Sequence, residues 1–361
     1  MSTSIRHAVG QLLVGSLAGV SVQGDLQALG REFGLGGITL FSRNIEAPEQ
    51  VAELAWDLRV LSRDLPPWIA IDQEGGRVAR LRAPFTEWPP MAVLGRSGDD
   101  ALARRFAAAM AAELRAVGVT LDFAPVLDIH TNAANPVIGD RALSTDAAMV
   151  ARLGVAVIEG LQSGGVAACG KHFPGHGDTS VDSHLELPLV EHPPDRIRQV
   201  ECVPFEAAIG AGVAFLMTAH VLVPSIDEAR PATLSPRIMT DLLRHDLAYD
   251  GAVLSDDLEM QAIAAQYAAG EAAVLAVAAG CDGVLVCSGS VDVQAEVLEA
   301  LVHGVEDGRI PRARLDDALR RLRRQKERFL TRPEPPRLEA LRSVIGCDVH
   351  RQVADEMGRF L

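Results

Sequence analysis

Three of the chain's ten histidines fall within the thirteen positions from His172 to His184, in the stretch Lys171-His172-Phe173-Pro174-Gly175-His176-Gly177-Asp178-Thr179-Ser180-Val181-Asp182-Ser183-His184. Pro174, Gly175 and Gly177 interrupt both helical and strand periodicity, so the backbone from Lys171 onward is read as loop. It follows the apolar run Gly165 to Gly170, a short buried strand. A loop dense in groups that titrate or bond near neutral pH, held at a strand end, is suited to proton transfer. In Asp182-Ser183-His184 the carboxylate can hold the imidazole and favour its protonated form. With a reference pKa of about 6.5, that ring can give up a proton and take it back near neutrality. The same stretch offers metal ligands in His172, His176, Asp178, Asp182 and His184. Zinc hydrolases, however, usually carry a tight ligand pair on one helix, whereas His172 and His176 flank Pro174 and Gly175. No metal or other cofactor is therefore expected, and a chelator assay separates the two readings.

A second centre is Leu254-Ser255-Asp256-Asp257-Leu258-Glu259-Met260. Two adjacent carboxylates at a strand end repel, and successive strand residues point to opposite faces, so one of the pair faces inward. Asp256 is the inward choice, after the apolar Val253 and Leu254, while Asp257 is free to N-cap the helix that follows. A carboxylate at such a mouth, with no metal-like companion in its own segment, suits a nucleophile. It would attack a carbon that develops positive charge, as in glycosyl transfer. Asp72, in Asp72-Gln73-Glu74-Gly75-Gly76-Arg77, can accept two hydroxyl hydrogen bonds at once, as a grip on vicinal sugar hydroxyls requires. The two glycines there let the backbone approach a ligand closely. Arg141, in Asn135-Pro136-Val137-Ile138-Gly139-Asp140-Arg141, carries a guanidinium for either a ligand or a salt bridge with Asp140 or Asp128.

These residues need a frame that brings them together. Short apolar segments recur at 11–15, 37–41, 68–72, 119–126, 166–170, 214–220, 251–256 and 282–287, with helix-like segments between them. Helices are expected at 25–33 with Asp25 as N-cap, 48–62 opened by Pro48, 99–117, 146–162, 194–211, from Ser235-Pro236, 270–279 and 291–303. Eight strands alternating with helices give an α/β fold, a (β/α)8 TIM barrel, with a doubly wound open sheet as the competitor. Closure is favoured because Asp72, Asp128, Lys171, His220 and Asp256 end or closely follow five different strands, and one barrel mouth gathers all five. The expected division is a catalytic barrel over 1–305 and a helical C-terminal extension over 306–361 packed on it. The arginine-rich helix from Pro311 to Leu330, with Asp316, Asp317 and Glu327 interleaved, reads as a solvated face.

Composition narrows the partners. Of 361 residues 48% are apolar, enough for a large core, and no run of eighteen apolar residues crosses a membrane. A balance of 34 basic against 48 acidic side chains gives −14, which argues against nucleic acid. Five cysteines without CxxC spacing read as reduced packing residues, hence a reducing, cytoplasmic setting. The apolar start, from Ala8 to Val22, reads as a first strand rather than a signal peptide. Aromatic residues make up only 4% of the chain, so stacking platforms for a sugar are few.

Asp72-Gln73-Glu74-Gly75-Gly76-Arg77-Val78, Asp122-Phe123-Ala124-Pro125-Val126-Leu127-Asp128, Lys171 through Thr179, Asp182-Ser183-His184 and Ser255-Asp256-Asp257 together resemble the family 3 glycoside hydrolases. The likeness is strongest to their single-domain bacterial β-N-acetylhexosaminidases of cell-wall recycling. The resemblance implies a (β/α)8 barrel that removes terminal N-acetylglucosamine from peptidoglycan-derived muropeptides with retention. Under it Asp256 is the nucleophile, His184 the acid/base and Asp182 its orienting partner, and Asp72, Arg80, Arg141, Lys171 and His172 bind the sugar and its acetamido group. The partner is then a small GlcNAc-containing molecule, with neither nucleic acid nor membrane, and the enzyme a monomer or weak oligomer. Phosphorolysis, attack by the substrate's own acetamide and a non-catalytic sugar-binding barrel are the alternatives that assays separate. An unliganded form is expected to leave His184 well away from Asp256.

Overall fold

The apolar runs form strands because residues buried on both faces read as continuous rather than alternating hydrophobics. The computed structural model describes residues 4–61, 66–183, 185–330 and 338–361. Its strands are β1 (Leu13–Ser16), β2 (Gly37–Leu40), β3 (Trp68–Ile71), β4 (Leu121–Asp122), β5 (Ala167–Phe173), β6 (Phe215–Thr218), β7 (Ala252–Asp257) and β8 (Gly283–Leu285). They close into a parallel barrel in which β1 pairs with both β2 and β8. The helices that follow each strand are α1 (Gly24–Phe33), α2 (Pro48–Arg59), α3 (Asp100–Ala116), α4 (Ala147–Ser163), α5 (Val203–Gly210), α6 (Arg237–Asp246, of π type), α7 (Ala269–Ala279) and α8 (Val291–Glu306). The fold is a (β/α)8 barrel, and all eight expected strands are present.

Caps fix several helix starts. Asp99 accepts from Ala101 N and Leu102 N, Asp146 from Met149 N, and Ser290 from Val293 N, each filling donors that a first turn leaves unpaired. Asp25 does not cap α1: it lies inside the first turn and Gln23 takes the cap position. A short helix, Ile5–Gly10, precedes β1 and was not expected. The helix expected to reach Ser62 ends at Arg59, and Ser62 itself lies outside the described residues.

β5 departs most from expectation. It runs on through Lys171 and His172 to Phe173, so those two side chains stand on a strand rather than in a loop. Val126 bridges Lys171 and Phe173 pairs with Thr218 after a register shift beyond Gly170, which carries the ladder past the apolar run. The hairpin after β3, Gln73–Gly75 against Val78–Ala79, corrects another expectation. Gly75 (φ 109°) and Gly76 (φ 56°) adopt left-handed backbone, and a Cβ on either would lie 2.8 Å from Pro89 O or Pro90. Their small size therefore serves close packing on Pro89 and Pro90.

The arginine-rich segment is α9 (Arg312–Phe329), and it is only half solvated. Leu315, Ala318, Leu322, Gln325, Lys326 and Phe329 are buried. Phe329 lies 6.5 Å from Trp68 with the rings tilted by 55°, Trp68 meets Phe215 edge-on at 5.1 Å, and Lys326 Nζ donates to Gln11 Oε1 at 2.9 Å. The buried Asp282 carboxylate pairs with Arg314, Arg321 and Arg244, so α9 is docked by ion pairs at the end of the barrel where the strands begin. Beyond it lie α10 (Leu338–Val344) and α11 (Asp348–Gly358). They fasten to α3 through the buried Glu113, which accepts from Gly346 N and faces His350 Nδ1 at 2.8 Å. All five cysteines are free thiols. No helix among the described residues is long and apolar enough to cross a membrane.

Candidate active site

At the ends of the strands opposite α9, a cavity of about 280 Å³ is bordered by Asp72, Arg80, Arg141, Lys171, His172, Asp182 and Asp256. Seven of the eight residues singled out from the sequence thus meet in one place. The eighth, His184, lies outside the described residues, and so does its expected separation from Asp256. Asp182 borders the cavity, and its carbonyl accepts from Leu185 N and Glu186 N.

One wall is an ion-pair array. Lys171 Nζ lies 2.8 Å from Asp72 Oδ1 and 2.8 Å from Glu74 Oε1. Arg141 binds Glu74 through both Nε (2.8 Å) and its terminal nitrogen (2.7 Å), and Arg80 reaches Asp72 Oδ2 at 3.1 Å. The salt-bridge partner of Arg141 is therefore Glu74, not Asp140 or Asp128, while Asp140 instead faces Arg77 at 3.4 Å. Glu74 was missed in the sequence. Its spacing of two from Asp72 on an extended chain places both carboxylates on one side, and that was the available signal. Burial alone would push the Asp72 and Glu74 carboxyls up, but the cations outweigh it and both end below the usual range. Burial likewise opposes the charge on Lys171 and Arg141, and the carboxylates reverse that and hold both well up. The array is charged and fixed, leaving Asp72 only 17% exposed toward the cavity.

Beside it, the fully buried Asp128 accepts from His172 Nδ1 at 2.6 Å and from His176 N at 2.7 Å. Burial would raise this carboxyl, yet His172 brings it below its ordinary value. Among the described residues no group of three or more His, Cys, Asp or Glu side chains converges as metal ligands. His176 engages Thr179 and Ser183, and His192 binds Asp178 Oδ2 at 2.6 Å.

Asp256 and Asp257 both border the same cavity. Asp257 does not N-cap a helix. Its Oδ1 accepts from Glu259 N (3.1 Å) and Cys287 N (3.2 Å), and Met260 begins the next helix. The alternation argument breaks down because β7 shifts register against β8 where it ends. Burial pushes the Asp257 carboxyl up to about 7, aided by the neighbouring carboxylates. The backbone of the pair is gripped from behind. Asp256 N donates to Thr218 Oγ1 (3.3 Å), and His220 Nε2 donates to the Asp257 carbonyl (2.9 Å). Both holders meet on Thr233 Oγ1, at 2.8 and 2.7 Å. An apolar wall that sequence reading did not name is Phe41, with the Arg80 guanidinium 5.5 Å over its ring.

The sequence matches the N-terminal domain of glycosyl hydrolase family 3 over residues 4–325. The curated Beta-hexosaminidase of Thiobacillus denitrificans is 44% identical over 260 residues, covering 70% of this chain and 72% of that protein. Its counterpart in Pseudomonas aeruginosa is 43% identical over 259 residues, covering 70% and 75%. The structure of a family 3 beta-N-acetylglucosaminidase from Paenibacillus sp. superposes with a TM-score of 0.92 at 40% identity, over 99% of this chain and 69% of that one. NagZ from Neisseria gonorrhoeae, solved with N-trifluoroacetyl-D-glucosamine, gives a TM-score of 0.80 at 32% identity, over 97% and 98%. A family match over residues 4–325, with curated relatives 43–44% identical across 70% of the chain, means that this chain belongs to glycosyl hydrolase family 3.

Proposed function

We propose that the enzyme is a retaining exo-β-N-acetylglucosaminidase that acts through a covalent glycosyl-aspartate on Asp256. The observation that carries the proposal is one cavity bordered both by Asp256 and by the ion-paired Asp72, Lys171, Arg80 and Arg141 together with His172. Asp72, kept ionised, accepts sugar hydroxyls, while Arg80, Arg141, Lys171 and His172 hold the ring and its acetamido group. Asp256 Oδ attacks the anomeric carbon as the glycosidic bond breaks, and His184, oriented by Asp182, gives its proton to the departing oxygen. His184 then takes a proton from water. That water oxygen bonds to the anomeric carbon and frees Asp256. The curated relatives named Beta-hexosaminidase, and the similar NagZ structure that holds N-trifluoroacetyl-D-glucosamine, support this substrate class. The resemblance in the sequence supports GlcNAc-bearing muropeptides of cell-wall recycling as the biological substrate, handled in the cytoplasm by a monomer or weak oligomer. Residues 306–361 are proposed as a packed extension of the catalytic barrel 1–305.

The test is hydrolysis of nitrophenyl β-N-acetylglucosaminide with the released anomer followed by NMR. The expected result is β-anomer first, with kcat/KM down roughly 10⁴-fold in Asp256→Asn and roughly 10²-fold or more in His184→Ala. Initial release of α-anomer, or an unimpaired Asp256→Asn variant, overturns the proposal. Sugar-1-phosphate formed only when phosphate is added identifies a phosphorylase instead.

A further inference from the structure

The Asp256 carboxylate is held by the residue that follows it. Asp257 N donates to Asp256 Oδ1 at 2.8 Å, so the orientation of the peptide joining the two residues sets where that carboxylate stands. The peptides on either side of it are fastened in turn. Asp256 N donates to Thr218 Oγ1 at 3.3 Å, and the Asp257 carbonyl accepts from His220 Nε2 at 2.9 Å. Both holders converge on one hydroxyl: Thr233 Oγ1 lies 2.8 Å from Thr218 Oγ1 and 2.7 Å from His220 Nδ1. Thr218, His220 and Thr233 are each 0% exposed.

The atom types fix the direction of each bond. A carbonyl only accepts, so His220 Nε2 carries the ring proton, and Nδ1 of the neutral ring is bare. Thr233 has one hydroxyl proton and gives it to Nδ1, the shorter contact, ahead of the Ala219 carbonyl at 3.1 Å. Thr218, which accepts from Asp256 N, gives its own proton to Thr233. The bonds form one continuous run, from Asp256 N–H through Thr218, Thr233 and His220 to the Asp257 carbonyl. A buried polar network satisfied in this way holds a single geometry. Thr233 itself sits on a short 3-10 turn, Ala232–Leu234, between β6 and α6. Ala232 N donates to the Val221 carbonyl at 2.7 Å, and Cys281 Sγ donates to the Thr233 carbonyl at 3.8 Å.

From these contacts we propose that Thr233 is a positioning residue for the Asp256 nucleophile, a role that rests on the reading of Asp256 given above. It acts through Thr218 and His220 on the peptide whose N–H holds Oδ1. With that oxygen tied to the chain, the carboxylate is kept in place as the anomeric carbon approaches, and less ordering remains for the attack itself.

Positioning of a nucleophile shows in turnover rather than in binding of the sugar. The experiment measures kcat on nitrophenyl β-N-acetylglucosaminide and the Kd of N-acetylglucosamine by titration calorimetry. The proteins are wild type, Thr233→Val, Thr233→Ser, Thr218→Val, the double valine variant and Asp256→Asn. Thr233→Val keeps the side-chain shape and removes the hydroxyl. Its kcat is expected to fall roughly 10-fold, the rate equivalent of one hydrogen bond, with Kd within about twofold of wild type. Thr233→Ser, which keeps the hydroxyl, is expected to retain kcat within about threefold. Thr218→Val opens the run at another link and supplies the same test should Thr233→Val fold poorly. The double variant is expected to lose less than the product of the two single losses. A Kd weakened as far as kcat falls, a Thr233→Ser variant no better than Thr233→Val, or full additivity overturns the positioning role and leaves the reading of Asp256 intact. An unimpaired Asp256→Asn brings down that reading, and the role of Thr233 with it.

Discussion

Asp257 shows how far a neighbouring residue can carry chemistry that its type alone does not announce. Its carboxyl sits beside Asp256 with a pKa near 7, above the ordinary carboxylate value, because burial and nearby negative charge disfavour ionisation. A carboxyl raised in the folded state binds more protons folded than unfolded between about 4 and 7. Its contribution to stability is therefore complete at low pH and is lost as pH rises through 7. Asp257→Asn keeps the acceptor for Glu259 N and Cys287 N and removes the titration. Relative to wild type it is expected to gain stability steadily from pH 4 to 7, by at most about 1 kcal/mol per unit. Urea unfolding at a series of pH values measures this, and a flat difference across that window contradicts it. Glu74 makes the converse case. Glu74→Gln leaves Arg141 and Lys171 buried against a neutral group, and a loss of about 3 kcal/mol is expected in the same assay.

At the scale of elements, the eight strands were legible because continuous apolar runs bounded by glycine, proline and polar residues leave few other readings. What stayed hidden was carried by polar residues that find partners only in three dimensions. Lys171 and His172 look like loop by hydropathy. They sit on β5 because Asp72 and Glu74 pair with Lys171 there and Asp128 hydrogen-bonds His172, all three distant in sequence. The site followed the same rule: positions came through as motifs, whereas Glu74, Phe41 and the Ser183 contact depended on which elements meet. Gly177 offers a clean test of the close packing around the loop. A Cβ there would lie 1.7 Å from the Ile129 carbonyl oxygen, so Gly177→Ala is expected to lose most activity. In α9, the fully buried Lys326 is pushed by burial down to about 7. Between 7 and 10.5 the unfolded chain holds a proton that the folded one lacks, so stability rises with pH across that range. Lys326→Met is expected to stabilise by about 1–3 kcal/mol at pH 7, with the gain shrinking toward pH 10. Equal gains at both pH values contradict this.

The molecule as a whole keeps its two ends for different work, as βα barrels do. The end where the strands begin is closed by α9, through Trp68, Phe329 and the arginines on Asp282, and serves stability. A chain stopped after Glu306 exposes those groups together. It is expected to aggregate on expression, and its soluble yield against the full chain checks the point. The opposite end carries the cavity, and there Arg77, Arg80, Arg141 and Lys171 each face a carboxylate within 3.4 Å. An uncharged glycoside offers no net charge for the field at this mouth to steer, so it arrives by diffusion alone. Raising ionic strength from about 10 mM to about 1 M, which shortens the Debye length from about 30 Å to about 3 Å, is accordingly expected to leave its capture rate unchanged.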